Sequence, residues 1–224
     1  MRRSAILAST VALGLVLAAC STAAGDRSAP VAAGDHDAHA GTTLDGAAEL
    51  REGLRELWED HIAWTRLFIV SAAAGLDDQD ATAQRLLRNQ DDIGNAIKPY
   101  YGEAPGTQLT NLLREHILVA ADLLAAAKAG DTVKVGAAKG RWYANADEIS
   151  TFLAKANPNN WPFDAVRKHM RTHLDLTLEE AVARLEGRFA ADIAAYDKIH
   201  ASILELSDAL AAGIVAQFPD RFSA

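Results

Sequence analysis

Histidine recurs at one kind of position in this chain. His61, His116 and His173 lie in the segments EDHIAW, REHILV and RTHLDL, where each is followed by Ile or Leu and falls on an apolar helical stripe. Imidazole is the commonest neutral metal ligand, and it titrates closer to neutral pH than other side chains. The pattern is therefore compatible with a metal centre, an acid–base group or a hydrogen-bonded core residue.

A polar residue also follows each histidine at a nearly constant interval. The intervals are 28 residues to Asn89, 29 to Asn145 and 27 to His200. This repetition predicts three related helical hairpins, in which the polar residue of the second helix lies opposite the histidine of the first. The helical period places all six side chains on buried faces, His200 among them because it shares a stripe with Ile193 and Tyr196.

Buried imidazoles and amides cost a few kcal/mol each when they lack a partner. One interpretation is a polar core, in which each histidine bonds to a polar group of its own hairpin and fixes the register between similar Ala/Leu faces. The other is a metal centre for copper, zinc or iron, since bundle cores build such sites from facing helices. The sequence leaves both interpretations open.

The metal interpretation has further candidate ligands near the C-terminus. His169 and His173 are spaced i, i+4, Asp197 and His200 are spaced i, i+3, and Glu205 follows closely. The candidate set for a divalent or copper ion is therefore His61, His116, His169, His173, Asp197 and His200. This set partly resembles that of hemerythrins, whose bundle holds a pair of iron ions with histidines and carboxylates. It departs from them because Ala120 stands where a Glu would follow His116.

Several other chemistries are excluded by what the sequence lacks. It contains no glycine-rich phosphate loop, no HExxH motif and no serine in a strand–turn–helix context, so we predict that the protein is not an enzyme. Its single cysteine allows neither an intrachain disulfide nor a thiolate cluster. A formal charge of -8 argues against a nucleic-acid partner.

The elements that must position these residues are helices. Residues 44–224 are rich in Ala and Leu, and the breakers between periodic segments predict helices near 45–74, 80–98, 108–129, 132–156, 163–175, 177–186 and 189–217. Asp80, Thr107 and Asp131 are expected N-caps, and Thr177 with Glu180 has capping-box spacing. The predicted fold is all-α, a closed bundle of three related hairpins with six or seven helices.

The N-terminus carries an export signal. Arg2 and Arg3 precede a short apolar run within residues 1–19, which is too short to span a bilayer. The run ends in LAAC, which resembles the lipobox of bacterial lipoproteins. This resemblance implies that Cys20 is acylated and becomes the mature N-terminus. Residues 20–43 are small and polar and predict a flexible tether; its His36 and His39 fit a solvated linker.

The folded domain has a second resemblance. Residues 57–222 resemble a group of bacterial helical-bundle proteins that has no assigned activity, with the stretches HLDLT, DIAAYDKIH and QFPDRF near the C-terminus. The resemblance implies the fold and no particular chemistry. We therefore expect a lipid-anchored protein of the cell envelope, held to the outer face of an inner or outer bacterial membrane by its N-terminal lipid. It would act as a binding or accessory module, with no cofactor and with a protein or small ligand as its partner.

Overall fold

The computed structural model describes residues 42–223, with side chains from residue 46 onward. The helices are α1 (Thr42–Ala74), α2 (Gln79–Tyr101), α3 (Glu103–Lys128), α4 (Thr132–Ala156), α5 (Phe163–Leu185) and α6 (Phe189–Gln217), followed by a 3₁₀ turn at Pro219–Arg221. The prediction of an all-α bundle is confirmed. The predicted signal sequence, Cys20 and the predicted tether as far as residue 41 lie outside the described residues. The last two tether positions, Thr42 and Thr43, belong to α1, so the helix begins earlier than predicted.

The six helices form a closed ring of three hairpins. Each helix packs against the next in chain order, and α6 packs back against α1. The first helices of the hairpins, α1, α3 and α5, also contact one another inside the ring. Arg51 and Arg55 of α1 both donate to Asp208 of α6, which links the first and last helices of the ring. The side chains that face inward from α1, α3 and α5 therefore share one central axis.

Most predicted helix ends are correct, and one loop is much shorter than expected. Asp131 caps α4 by accepting a hydrogen bond from the Lys134 amide at 3.0 Å. The predicted break over residues 99–107 is wrong, because α2 continues through Pro99 and α3 starts at Glu103. Gly102 alone makes the turn with a φ of 86°, a conformation that other residues rarely adopt. Thr107 lies inside α3 and is not its N-cap.

A second correction concerns α5, which is unbroken where two helices were predicted. The Thr177 hydroxyl donates to the carbonyl oxygen of His173 at 2.8 Å, one turn earlier in the same helix. Thr177 is therefore an interior helical residue and not a cap. Glu180 does not complete a capping box either, because its carboxylate binds Arg66 of α1.

Small residues allow close helix contacts at two points. A Cβ added to Gly94 of α2 would lie 2.7 Å from the carbonyl oxygen of Gly106 on α3, so the two backbones touch there. A Cβ on Gly213 of α6 would lie 2.0 Å from Trp161 Nε1. Trp161 is buried, and its indole donates to Ala209 O.

The helix α6 is also apolar enough to be compared with a membrane span. Among the described residues it is the one helix long and apolar enough to cross a bilayer by length and composition. Its Ala195, Ile199 and Ile203 are buried in the bundle. The core helix of a folded domain passes the same test, so its composition alone does not argue for a membrane span.

Candidate functional site

The structure brings three of the six predicted ligand residues together and separates the others from them. His61 on α1, His116 on α3 and His173 on α5 are all buried. The ring centroids of His61 and His173 are 5.7 Å apart, and those of His116 and His173 are 6.4 Å apart. We call these three side chains the histidine layer.

The prediction that His200 is buried opposite His173 is wrong. His200 is 46% exposed, and its Nε2 lies 3.3 Å from Glu59 Oε1 at the surface. Asp197 is also exposed, and His169 is half-buried. The buried stripe of α6 includes Asp192, one position away from the predicted stripe through Ile193. Adjacent helical positions differ by about 100°, so this shift turns His200 outward.

The central axis is built in successive layers around the histidines. The residues four and eight positions after each histidine line one apolar cavity: Thr65 and Ile69, Ala120 and Leu124, and Thr177 and Ala181. The residues three positions before each histidine line a second, smaller cavity: Trp58, Leu113 and Met170. The histidine layer therefore divides an otherwise apolar core. The equal offsets also support the sequence repeat that predicted three hairpins.

His116 has both ring nitrogens engaged. Its Nε2 lies 3.1 Å from Trp142 Nε1, and an indole N–H can only donate, so Nε2 accepts. The proton is then on Nδ1, which donates to Asn145 Oδ1 at 2.8 Å. The Asn145 amide nitrogen donates in turn to Leu112 O at 3.1 Å. This chain of donors holds His116 as one neutral tautomer and confirms that Asn145 is its hydrogen-bond partner.

His61 has a different partner from the predicted one. Gln90 Nε2 lies 3.3 Å from His61 Nδ1, whereas Asn89 donates to Leu57 O at 2.9 Å and accepts from Gln90 at 3.1 Å. Leu57 stands four residues before His61, as Leu112 does before His116. The first two hairpins thus share the asparagine-to-carbonyl bond, and they differ in which amide reaches the imidazole.

Three polar atoms in this region have no hydrogen-bond partner among the described residues. They are Trp58 Nε1, Gln90 Oε1 and His173 Nδ1, and all three are buried. The rings of Trp58 and His173 both lie within 6 Å of the His61 ring by centroid distance. Sequence analysis did not identify Trp58, Gln90 or Trp142 as part of the site. The spacing of Trp58 and His61 could have predicted that the two side chains are neighbours, because residues three apart share a helical face.

Burial keeps the three imidazoles neutral. It lowers the pKa of His61 to about 3, with a smaller contribution from His116, and it lowers the pKa of His116 to about 4. The pKa of His173 is lowered well below its usual value by burial and then by the two neighbouring histidines. A charged imidazole would lose hydration and gain no anionic partner here.

The structure also contains an ion-pair network whose two carboxylates are buried. Arg66 Nη1 donates to Glu180 Oε1 at 2.6 Å and to Asp192 Oδ1 at 2.7 Å, and the two carboxylates are only 2% and 1% exposed. Arg184 reaches Asp192 at 3.3 Å. Burial raises the pKa of Glu180 to about 7, although Arg66 opposes the shift. The network joins α1 to α5 and α6.

These shifts predict how stability depends on pH. The pKa of each buried histidine is lower in the folded protein than in the unfolded chain. Its contribution to the free energy of unfolding is therefore present above about pH 6.5 and is lost as the pH falls toward the folded pKa. Glu180 acts in the opposite sense: its contribution is present below about pH 4.5 and is lost as the pH rises through 7. In a Glu180→Gln background we expect the free energy of unfolding to fall from pH 7 to 5, approaching about 1.4 kcal/mol per pH unit for each histidine.

Denaturant unfolding at several pH values measures this dependence. His200→Gln is the matched control, because this histidine is exposed, and its profile should follow that of the Glu180→Gln background. A flat profile between pH 7 and 5 would contradict the neutral, buried state of the histidine layer.

The described residues include no group of three or more His, Cys, Asp or Glu side chains placed to hold a metal ion. The reason at the histidine layer is local, since Trp142 and Asn145 already occupy both nitrogens of His116. Of the carboxylates predicted nearby, Asp197 and Glu205 are both exposed. A metal ion bound by all three imidazoles would need His116 to release one of its two partners.

Comparison of the chain with protein-family models, with curated proteins and with solved structures finds no match.

Proposed function

We propose that this chain is a lipid-anchored protein of the bacterial cell envelope that acts as a binding or accessory module and holds its ligand inside the helical bundle. The observation that carries the binding role is the histidine layer beside the apolar cavity of α1, α3 and α5. A purely structural polar layer is normally fully hydrogen-bonded. This one leaves Trp58 Nε1, Gln90 Oε1 and His173 Nδ1 without partners among the described residues.

The same geometry favours binding over catalysis. General acid–base catalysis works best when the pKa of the catalytic group lies near the working pH. Burial instead lowers the pKa of His61 to about 3 and that of His116 to about 4. His116 also has no free nitrogen to take up or release a proton.

Lipid anchoring is supported by LAAC, by the preceding apolar run and by the polar tether. Cleavage before Cys20 removes Arg2 and Arg3, so the formal charge changes from -8 to -10. Such a protein would gain little from electrostatic attraction to anionic lipid, and the acyl group would be its attachment to the membrane.

The test of anchoring is Cys20→Ser in the full-length chain. We expect the variant to incorporate no labelled palmitate and to remain as an unprocessed precursor, because the acyl acceptor is lost. Ser21→Ala, next to the acceptor, is the matched control and should be labelled like the wild type. Equal palmitate labelling of the Cys20→Ser variant and the wild type would contradict the proposed anchor.

A metal-binding bundle is the second candidate, and it is favoured by one observation. Three imidazoles on three helices lie within 6.4 Å of a neighbour by ring centroid, and His173 Nδ1 has no described partner. Copper, zinc or iron would be the ions to test. Elemental analysis after incubation with each ion decides between the candidates. We expect less than stoichiometric metal, whereas one ion per chain that is lost in His173→Leu would establish the metal protein.

A further inference from the structure

The larger cavity on the bundle axis lies between the histidine layer and the ends of α1, α3 and α5. Its volume is about 50 Å³. Apart from two threonines and the Trp142 ring, it is lined by Phe, Ile, Leu, Val and Ala side chains. It is thus a space inside the bundle whose chemistry depends on whether those few polar residues have hydrogen-bonding capacity to spare.

Each N–H or O–H donor of these lining side chains is already in use. The Thr65 hydroxyl donates to His61 O at 2.7 Å, and the Thr177 hydroxyl donates to His173 O at 2.8 Å. The Trp142 indole donates to His116 Nε2. A buried water typically makes about three hydrogen bonds, and a cavity of about 10–15 Å³ can already hold one. The cavity is therefore large enough for water, but its side chains offer water no donor and only the two threonine oxygens as acceptors, so water would make fewer hydrogen bonds there than it usually does.

We propose that this cavity is a binding site for a small, uncharged, apolar molecule. The inference rests on the proposal that the bundle holds a ligand, and it names the ligand class for this cavity alone, because the three unpartnered polar atoms belong to residues that do not line it. Apolar cavities of about 150 Å³ lined by Leu, Ile and Phe stay dry and bind benzene or xenon. A cavity about one third of that size takes a molecule of a few heavy atoms. Dispersion contacts with the lining stabilise it, and no polar group needs to be desolvated.

The α5 side of the cavity is its least buried side. The lining residues Ala127, Leu178, Val182 and Leu185 are only half-buried, whereas Ile69, Ile117 and Leu124 on the opposite walls are buried. These half-buried residues are the part of the lining nearest to solvent.

Xenon is the probe, because it is apolar and makes no hydrogen bonds. Methyl NMR spectra of the mature protein are recorded over a series of xenon pressures. We expect saturable shifts of the Ile69 and Ile117 methyl groups, which line the cavity. Ile203 is equally buried but lines neither axial cavity, so its methyl groups should not show a saturable shift. This internal reference separates binding at the site from general solvent effects.

Two variants fill the cavity from different helices. Ala120→Leu and Ala181→Leu each add a side chain to the lining, and both should remove the saturable shifts. Ala96→Leu makes the same change at a half-buried alanine outside the lining and should retain them. An unchanged Ile203 signal verifies that a variant is folded.

Shifts that rise linearly with pressure, or equal saturable shifts at Ile203, would overturn the proposal. Saturation that persists in folded Ala120→Leu and Ala181→Leu variants would do the same. These outcomes would exclude an apolar ligand in this cavity, and they would not affect the proposal of a lipid anchor. Failure of the anchor is detected separately, by palmitate labelling of Cys20→Ser.

Discussion

Replacing Arg66 by methionine is expected to lower the free energy of unfolding by about 3–5 kcal/mol. Arg66 supplies the hydrogen bonds that Glu180 and Asp192 receive from α1, and these carboxylates are 2% and 1% exposed. Removing one member of a buried ion pair leaves the other charge without compensation. Methionine keeps most of the apolar stem, so the loss measures the charge and its hydrogen bonds. Denaturant unfolding at pH 8 gives the difference.

The loss should also depend on pH. Burial already raises the pKa of Glu180 to about 7, and without Arg66 the shift would be larger. Protonation then removes the uncompensated charge, so Arg66→Met should be less destabilising at pH 5 than at pH 8. Arg141→Met is the control, because Arg141 and Asp122 are 59% and 63% exposed and such pairs contribute less than about 1 kcal/mol. Equal losses in the two variants would contradict the buried network.

Replacing Asn145 by leucine is expected to cost about 1–3 kcal/mol. The change removes the acceptor of the buried His116 Nδ1 proton and one donor to the half-buried Leu112 O. A buried polar group left without a partner costs about 1–3 kcal/mol. His116 Nδ1 is such a group, whereas Leu112 O lies inside α3 and keeps its helical hydrogen bond. Leucine is similar in size to asparagine, so little of the effect comes from a cavity. Thermal and denaturant unfolding both measure it.

A double-mutant cycle assigns this loss to the pair. Combining Asn145→Leu with His116→Leu should give a coupling energy of about 0.5–3 kcal/mol, as found for residues in one hydrogen-bond network. Asn111→Leu is the matched control on the exposed face of α3 and should stay within about 0.5 kcal/mol of the wild type. Additive losses for Asn145→Leu and His116→Leu would show that the hydrogen bond between them contributes nothing.

The histidine layer could be predicted in part. The apolar stripes around His61 and His116 repeat at the helical period, and the period depends only on neighbouring residues. The interval from His116 to Asn145 correctly identified a hydrogen-bonded pair. The interval from His61 to Asn89 identified the right turn of α2, while the imidazole bonds to the next residue, Gln90. Adjacent positions on α2 both face the interface, and only the packing of α1 on α2 decides which amide reaches the ring.

The sequence by itself determined the helices of this protein, most of their ends and the recurrence of a buried histidine, because periodicity, glycine and capping residues act locally. The tertiary structure decided that Asp192 is buried and His200 exposed. A pattern of apolar residues assigns an aspartate to the surface, but Arg66, 126 positions earlier in the chain, compensates its charge. The cavity beside the histidine layer also depends on the tertiary structure, since its lining side chains come from helices that are distant in sequence and meet only in the folded bundle. Local rules set the shape of each helix, whereas the burial of charge and the position of empty space depend on partners that the fold supplies.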